Sequence, residues 1–167
     1  MEQRSSRGSR PKAPPAGSAL DGGLRLLARR AHSRLELRQK LHRRGYDPVD
    51  VEAALSRLAE LGYVDDGAFA RGLVRRRSGV RGPRALAGEL SARGIDRAGI
   101  AKALEGLDEE AELAAATRLA ERLYAARTLP SYKEVLDRIG SRLMRRGFSA
   151  NVVRAACRAV LAGGPSA

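Results

Sequence analysis

The stretch Leu41–Leu55 reads LHRRGYDPVDVEAAL, and its skeleton returns twice, as LSARGIDRAGIAKAL over Leu90–Leu104 and LMRRGFSANVVRAAC over Leu143–Cys157. Aligned on Gly45, Gly94 and Gly147, each copy has an arginine before the glycine (Arg44, Arg93, Arg146) and a large apolar residue after it (Tyr46, Ile95, Phe148). A short polar residue follows (Asp47, Asp96, Ser149), and a β-branched one lies six positions past the glycine (Val51, Ile100, Val153). This is the pattern of one helix ending and another beginning. Glycine at C′ takes positive φ at little cost and closes a Schellman motif. The apolar residue is then C″, whose natural contact is C3, here Leu41, Leu90 and Leu143. It is also N′ of the next helix and staples to N4, here Val51, Ile100 and Val153. Asp or Ser at the N-cap accepts from orphan N–H groups, and Pro48 suits N1. One side chain thus pins two helices across each turn.

The flanks extend the pattern. Ser33 with Glu36, and Ser131 with Glu134, have capping-box spacing, and Gly82–Pro83 is a further helix start. A third helix precedes each corner, at about Leu20–Ala31, Asp66–Arg77 and Glu109–Arg127. The chain is therefore expected to be all-α, with three tandem three-helix repeats (nine helices) forming an elongated, curved array. The expected divisions are a disordered basic tail over 1–18, repeats over 19–64, 65–107 and 108–162, and a frayed end over 163–167. The glycine-to-glycine spacings of 49 and 53 are close to the period of helical-array proteins. Composition agrees: Trp is absent and aromatics are 4% of the chain, so the core must be Leu, Ala and Val. The tail is Pro, Gly, Ser and Arg and has no face to bury.

The formal charge is +13, and residues 1–18 carry a net three of it, leaving +10 on the remainder. Such an excess points to a polyanionic partner or an acidic groove. The glycine-to-β-branched spacing also suits a DNA-reading helix–turn–helix. The exposed face of the second helix argues against three such readers. In the first repeat it offers Asp47, Asp50, Glu52, Arg57 and Glu60, a face that a phosphate-lined groove would repel. In the second, Arg97, Lys102 and Glu105 are nearly neutral. Only the third, with Asn151, Arg154 and Arg158, suits a groove. The corners are accordingly read as packing devices.

Positive charge concentrates elsewhere. The first repeat offers Arg38, Lys40 and Arg44; the second Arg75, Arg76 and Arg77, followed by Arg81 and Arg84; the third Arg142, Arg145 and Arg146. Complementing a helix dipole accounts for one or two basic residues at a helix end, not a run of three. These eleven residues are the candidate contacts to DNA or to a protein partner, made to phosphates or carboxylates without base specificity.

The remaining chemistry-bearing residues read as structural. Cys157 falls where the other copies place Leu55 and Leu104, so it is a small core residue. His32 and His42 lack a ligand pattern, and no metal or other cofactor is expected. Asp65 and Asp66 fit a helix start. No phosphate-binding glycine loop, nucleophile elbow or HExxH is present, so no enzyme is indicated. No apolar run approaches the ~20 residues of a membrane span, and the start lacks a secretory signal, so the expected location is cytoplasmic.

Three segments, SRLELRQKLHRRGY (33–46), LAELGYVDDGAFARGLVRRR (58–77) and GPRALAGELSARGI (82–95), together resemble the bacterial RecX family of regulators of the RecA recombinase. The likeness is most specific over Ser33–Leu104 and extends to about Ala162. It implies three tandem three-helix repeats and binding in the groove of the RecA filament on single-stranded DNA. There the protein would modulate ATP hydrolysis and strand exchange, usually by inhibition, in recombination and repair. The expected partners are the RecA filament and single-stranded DNA, with double-stranded DNA as a second form; the expected state is a monomer. The competing reading is a general nucleic-acid-binding helical array without a recombinase partner.

Overall fold

Each of the three corner glycines has positive φ: 92° at Gly45, 80° at Gly94 and 86° at Gly147. The computed structural model describes residues 17–125, 129 and 131–163. All but Gly17 and Ser18 of the expected basic tail, and the last residues from 164, lie outside the described residues. The described elements are nine helices: α1 (Ala19–Leu27), α2 (Arg34–Arg43), α3 (Pro48–Glu60), α4 (Asp66–Arg77), α5 (Pro83–Ser91), α6 (Arg97–Leu104), α7 (Glu109–Tyr124), α8 and α9 (Ala150–Ala162). Helix α8 runs through three consecutive pieces, Tyr132–Val135, a π-helical turn Leu136–Gly140, and Ser141–Arg145.

Both Schellman hydrogen bonds form at every corner. The N–H groups of Tyr46, Ile95 and Phe148 donate to the carbonyls of Leu41, Leu90 and Leu143 at 3.4, 3.1 and 3.3 Å. Gly45, Gly94 and Gly147 donate to His42, Ser91 and Met144, each at 2.9 Å. The caps follow: Asp47, Asp96 and Ser149 accept from the N–H groups of Val49, Gly99 and Val152. A fourth such turn ends α3, where Tyr63 N–H donates to Leu58 and Gly62 has φ 74°.

The chain divides into two compact units, one through Asp65 and one from Asp66. In the first, α1 and α3 make the largest contact, over a core of Leu26, Leu37, Leu41, Tyr46, Val51, Leu55 and Leu58. Ser18, assigned above to the tail, is the N-cap of α1 in a full capping box with Asp21. Gly22 and Gly23 lie inside α1, where each costs about 1 kcal/mol in helix propensity. Close packing explains them. A Cβ on Gly22 would sit 2.8 Å from Tyr46 Oη, and one on Gly23 2.6 Å from Leu58 Cδ1. Helix α1 stops at Leu27, four residues short of the expected Ala31. His32 is buried, with Nδ1 3.1 Å from Glu36 Oε2, and Arg30 Nη1 reaches the same oxygen at 3.1 Å. The chain must turn there to seat His32 and place Ser33 at the N-cap of α2, where its hydroxyl accepts from Glu36 N–H.

The second unit holds two apolar clusters. One gathers Phe69, Leu73, Leu86, Leu90 and Ile95 from α4–α6; the other gathers Leu119, Ile139, Leu143, Phe148, Val152, Val153 and Val160 from α7–α9. First and third helices again make the main contacts, α4 with α6 and α7 with α9. The staple partners are not equal: Val51 and Val153 are 0% and 2% exposed, whereas Ile100 is only half-buried, and α6 has no fully buried residue. In α8 the buried residues Val135, Ile139 and Leu143 are four apart, a spacing that drifts roughly 40° per step in a regular α-helix. The π-helical turn offsets this drift. Gly140 lets the neighbouring side chains pack close to this turn, since a Cβ there would lie 2.9 Å from Leu136 Cδ1 and 3.3 Å from Val153 Cγ1. Cys157 is fully buried in this cluster, and burial pushes its thiol above the ordinary range.

Candidate nucleic-acid interface

The eleven basic candidates fall into three physical situations. In the first unit, Arg38 is consumed by its own fold. Its Nε and Nη2 grip the Glu52 carboxylate in a two-pronged contact, with Nη2–Oε2 at 2.9 Å, and Arg34 joins at 3.5 Å. The hydrogen bond from Arg38 holds the Glu52 carboxyl below its ordinary range. Lys40 and Arg44 end α2, both half-buried, where they complement the helix dipole.

In the second unit, Arg75, Arg76 and Arg77 are all exposed at the end of α4, yet they differ. Arg77 Nη1 is bound to Glu89 Oε1 at 2.7 Å, and Arg93 reaches the same oxygen at 2.9 Å. Among the described residues, Arg75 and Arg76 have no such partner. The long-range packing that matters most lies just beyond. The Gly82 N–H donates to the Arg146 carbonyl at 2.9 Å, and the Arg84 N–H donates to the Gly147 carbonyl at 3.3 Å. Arg146 Nη1 donates to the Val80 carbonyl at 3.4 Å. The carbonyl end of α8 therefore meets the N–H end of α5, the favourable head-to-tail sense of two helix dipoles.

Two glycines permit this approach. A Cβ on Gly82 would lie 2.4 Å from the Gly147 carbonyl carbon, and one on Gly147 would lie 2.3 Å from the Ala85 nitrogen. The joint sets the segment that carries Arg81 and Arg84 against the end of α8, whose last turns carry Arg142, Arg145 and Arg146. Arg81, Arg84, Arg142 and Arg145 are exposed, and among the described residues none has an ion-pair partner. The nearest acid to the corner is Glu112. It is 7% exposed, and its Oε1 accepts the Ser149 N–H at 2.6 Å. In a capping box that N–H goes to a Glu or Gln at N3. N3 of α9 is Val152, so an acid from α7 takes the role across 37 residues.

Such a surface can hold anionic groups by charge-assisted hydrogen bonds. Among the described residues no group of three or more His, Cys, Asp or Glu is placed to hold a metal ion. No described helix is long and apolar enough to cross a membrane.

The sequence matches the descriptions "RecX, first three-helix domain" over residues 19–58 and "RecX, second three-helix domain" over 65–104. It is 46% identical over 141 residues to Regulatory protein RecX of Halorhodospira halophila (strain DSM 244 / SL1), covering 83% of this chain and 86% of that one. The chain belongs to the RecX family. A second RecX relative, the regulatory protein of Mycobacterium avium (strain 104), is 42% identical over 143 residues, covering 83% and 80%. The crystal structure of RecX from Lactobacillus salivarius superposes with a TM-score of 0.75 at 22% identity, over 85% of this chain and 94% of that one. This likeness bears on the fold alone, and it agrees with the all-helical architecture. The relatives are named regulatory proteins, not enzymes.

Proposed function

We propose that this protein regulates the RecA recombinase without catalysing a reaction itself. It binds the RecA filament on single-stranded DNA and lowers its ATPase and strand-exchange activities in recombination and repair. The three repeats, 19–64, 65–107 and 108–162, act as one cytoplasmic monomer. Family membership supports RecA as the partner. The observation that carries a polyanion-bound surface is that six of the candidate arginines in the second unit, Arg75, Arg76, Arg81, Arg84, Arg142 and Arg145, are exposed and have no ion-pair partner among the described residues. An ion-paired surface would have little left to offer phosphates. Arg38 and Arg77, bound to Glu52 and Glu89, contribute less than their sequence positions imply.

The test is RecA ATPase on single-stranded DNA, titrated with this protein. The expected result is a dose-dependent fall in hydrolysis, blunted by joint replacement of Arg75 and Arg76 with Ala. An unchanged rate at saturating protein, with DNA binding intact, would leave only a general nucleic-acid-binding array.

A further inference from the structure

The basic residues of the second unit are not one run along one helix. Arg81 and Arg84 belong to the start of α5, and Arg142, Arg145 and Arg146 to the end of α8. The two segments that carry them are joined where the backbone at Gly82 docks on the backbone at Gly147. We propose that this joint is a composite site for the phosphodiester backbone of nucleic acid, assembled by two uncharged residues. The proposal deepens the functional reading above, on which it rests for its polyanion partner.

Three observations favour a phosphodiester strand. Guanidinium forks match phosphate oxygens in geometry, and the two docked segments carry several of them. Two acids of this unit are already occupied: Glu89 holds Arg77 and Arg93, and Glu112 is buried on Ser149 N–H. The unit's exposed large apolar side chains are Val80 and Met144, neither of the aromatic kind that anchors protein partners, while Phe148 at the corner is 1% exposed. With no exposed ring among the described residues of this unit to stack a base, the contact is to the backbone and independent of sequence.

The joint also makes a statement that net charge does not. Gly82→Ala removes no charge, yet its Cβ would lie 2.4 Å from backbone atoms of Gly147 and Phe148, so the docking must open. The two arginine sets would then part, and affinity would fall.

The test uses the full chain and fluorescence anisotropy of a labelled single-stranded oligothymidine across a salt series, with a duplex of the same length alongside. Arg84→Gln/Arg145→Gln is compared with Arg97→Gln/Arg118→Gln, an equal charge loss at exposed positions of α6 and α7. Counterion release gives about 0.7 in the salt slope per single-strand phosphate contact. The joint pair should therefore lower the slope by about 1.4 and weaken binding about 25-fold at 0.1 M salt. The α6/α7 pair should move both by less than half as much. Gly82→Ala, with its helical circular dichroism retained, should weaken binding several-fold; if it does not fold, the two arginine pairs decide alone. Equal losses from both pairs would overturn the proposal, leaving only net charge. Failure to bind either DNA while binding polyglutamate would overturn it in favour of an acidic protein. RecA ATPase is measured on the same variants. Joint-dependent DNA binding with no effect of the wild type on RecA supports the joint and removes only the recombinase reading.

Discussion

Gly147→Ala separates two contributions that meet at one residue. The first is backbone conformation. At φ 86°, an L-residue is disfavoured by roughly 1–2 kcal/mol. The second is space. The new Cβ would lie 2.3 Å from Ala85 N and 2.5 Å from Ala85 Cβ, and overpacking of this kind costs about 1–3 kcal/mol. The sum is about 2–5 kcal/mol. Gly62→Ala is the internal reference, because φ is 74° there and nothing lies within 4 Å of the added methyl. It should cost only the conformational part, about 1–2 kcal/mol. Urea unfolding followed by far-ultraviolet circular dichroism measures both. The transitions are fitted by unit, because two compact units need not unfold together. If Gly147→Ala were no more destabilising than Gly62→Ala, the close approach of α5 to the α8–α9 corner would not be a packed contact, and the composite basic site would lose its foundation.

Glu112→Leu should destabilise the second unit by about 1–3 kcal/mol, since it leaves the Ser149 N–H without its acceptor; Glu112→Gln, which keeps an acceptor, should cost less, and urea midpoints decide the order. Acidification should weaken the first unit in two stages of the same sign, read from its melting temperature at pH 7.5, 6, 5 and 3.5. Burial, the larger influence, holds His32 below its ordinary 6.5 despite the hydrogen bond to Glu36; as pH falls through that value, the unfolded chain takes up a proton that the fold resists. Burial alone would raise Glu36, but hydrogen bonds from His32 and Arg30 hold it below its ordinary 4.5, so its contribution is full above that value and lost below it. His32→Gln should remove the first stage. Gly22→Ala should lower the urea midpoint because its Cβ meets the Tyr46 ring, whereas Gly88→Ala, open on α5, should raise stability by about 0.5–1 kcal/mol; the same sign for both would refute the packing account of α1.

What could be read from sequence was local. A Schellman glycine, its apolar neighbour and the following cap all fall within seven residues, so their spacing carries the corner without knowledge of the rest of the chain. Ends set by distant contacts were not legible. Helix α1 keeps a helical pattern to Ala31, but His32 and Glu36 turn the chain after Leu27. The Gly22–Gly23 pair reads as a weakness in a helix until Tyr46 and Leu58 are seen against it. The basic residues were found as types but not as a site. Glu52 and Glu89 decide which arginines are spent, and both lie on other helices from Arg38 and Arg77. Gly82 reads as a helix start, but nothing in the sequence marks its partner 65 residues away, because backbone-to-backbone docking of two glycines leaves no pattern in either segment. The reach of Glu112 to Ser149 leaves no pattern either. The position of Glu112 in the first turn of α7 already has an ordinary explanation in the helix dipole.

The sulfur of Cys157 turns the third apolar cluster into its own clock. The chain has one cysteine, it is sealed among Gly140, Val153 and their neighbours, and burial disfavours its reactive thiolate. A maleimide added to the native protein therefore waits for that cluster to open, and the labelling rate reports the opening of α7–α9 with no engineered probe. Comparing the rate with and without bound DNA would show how firmly a ligand at the surface holds the interior shut.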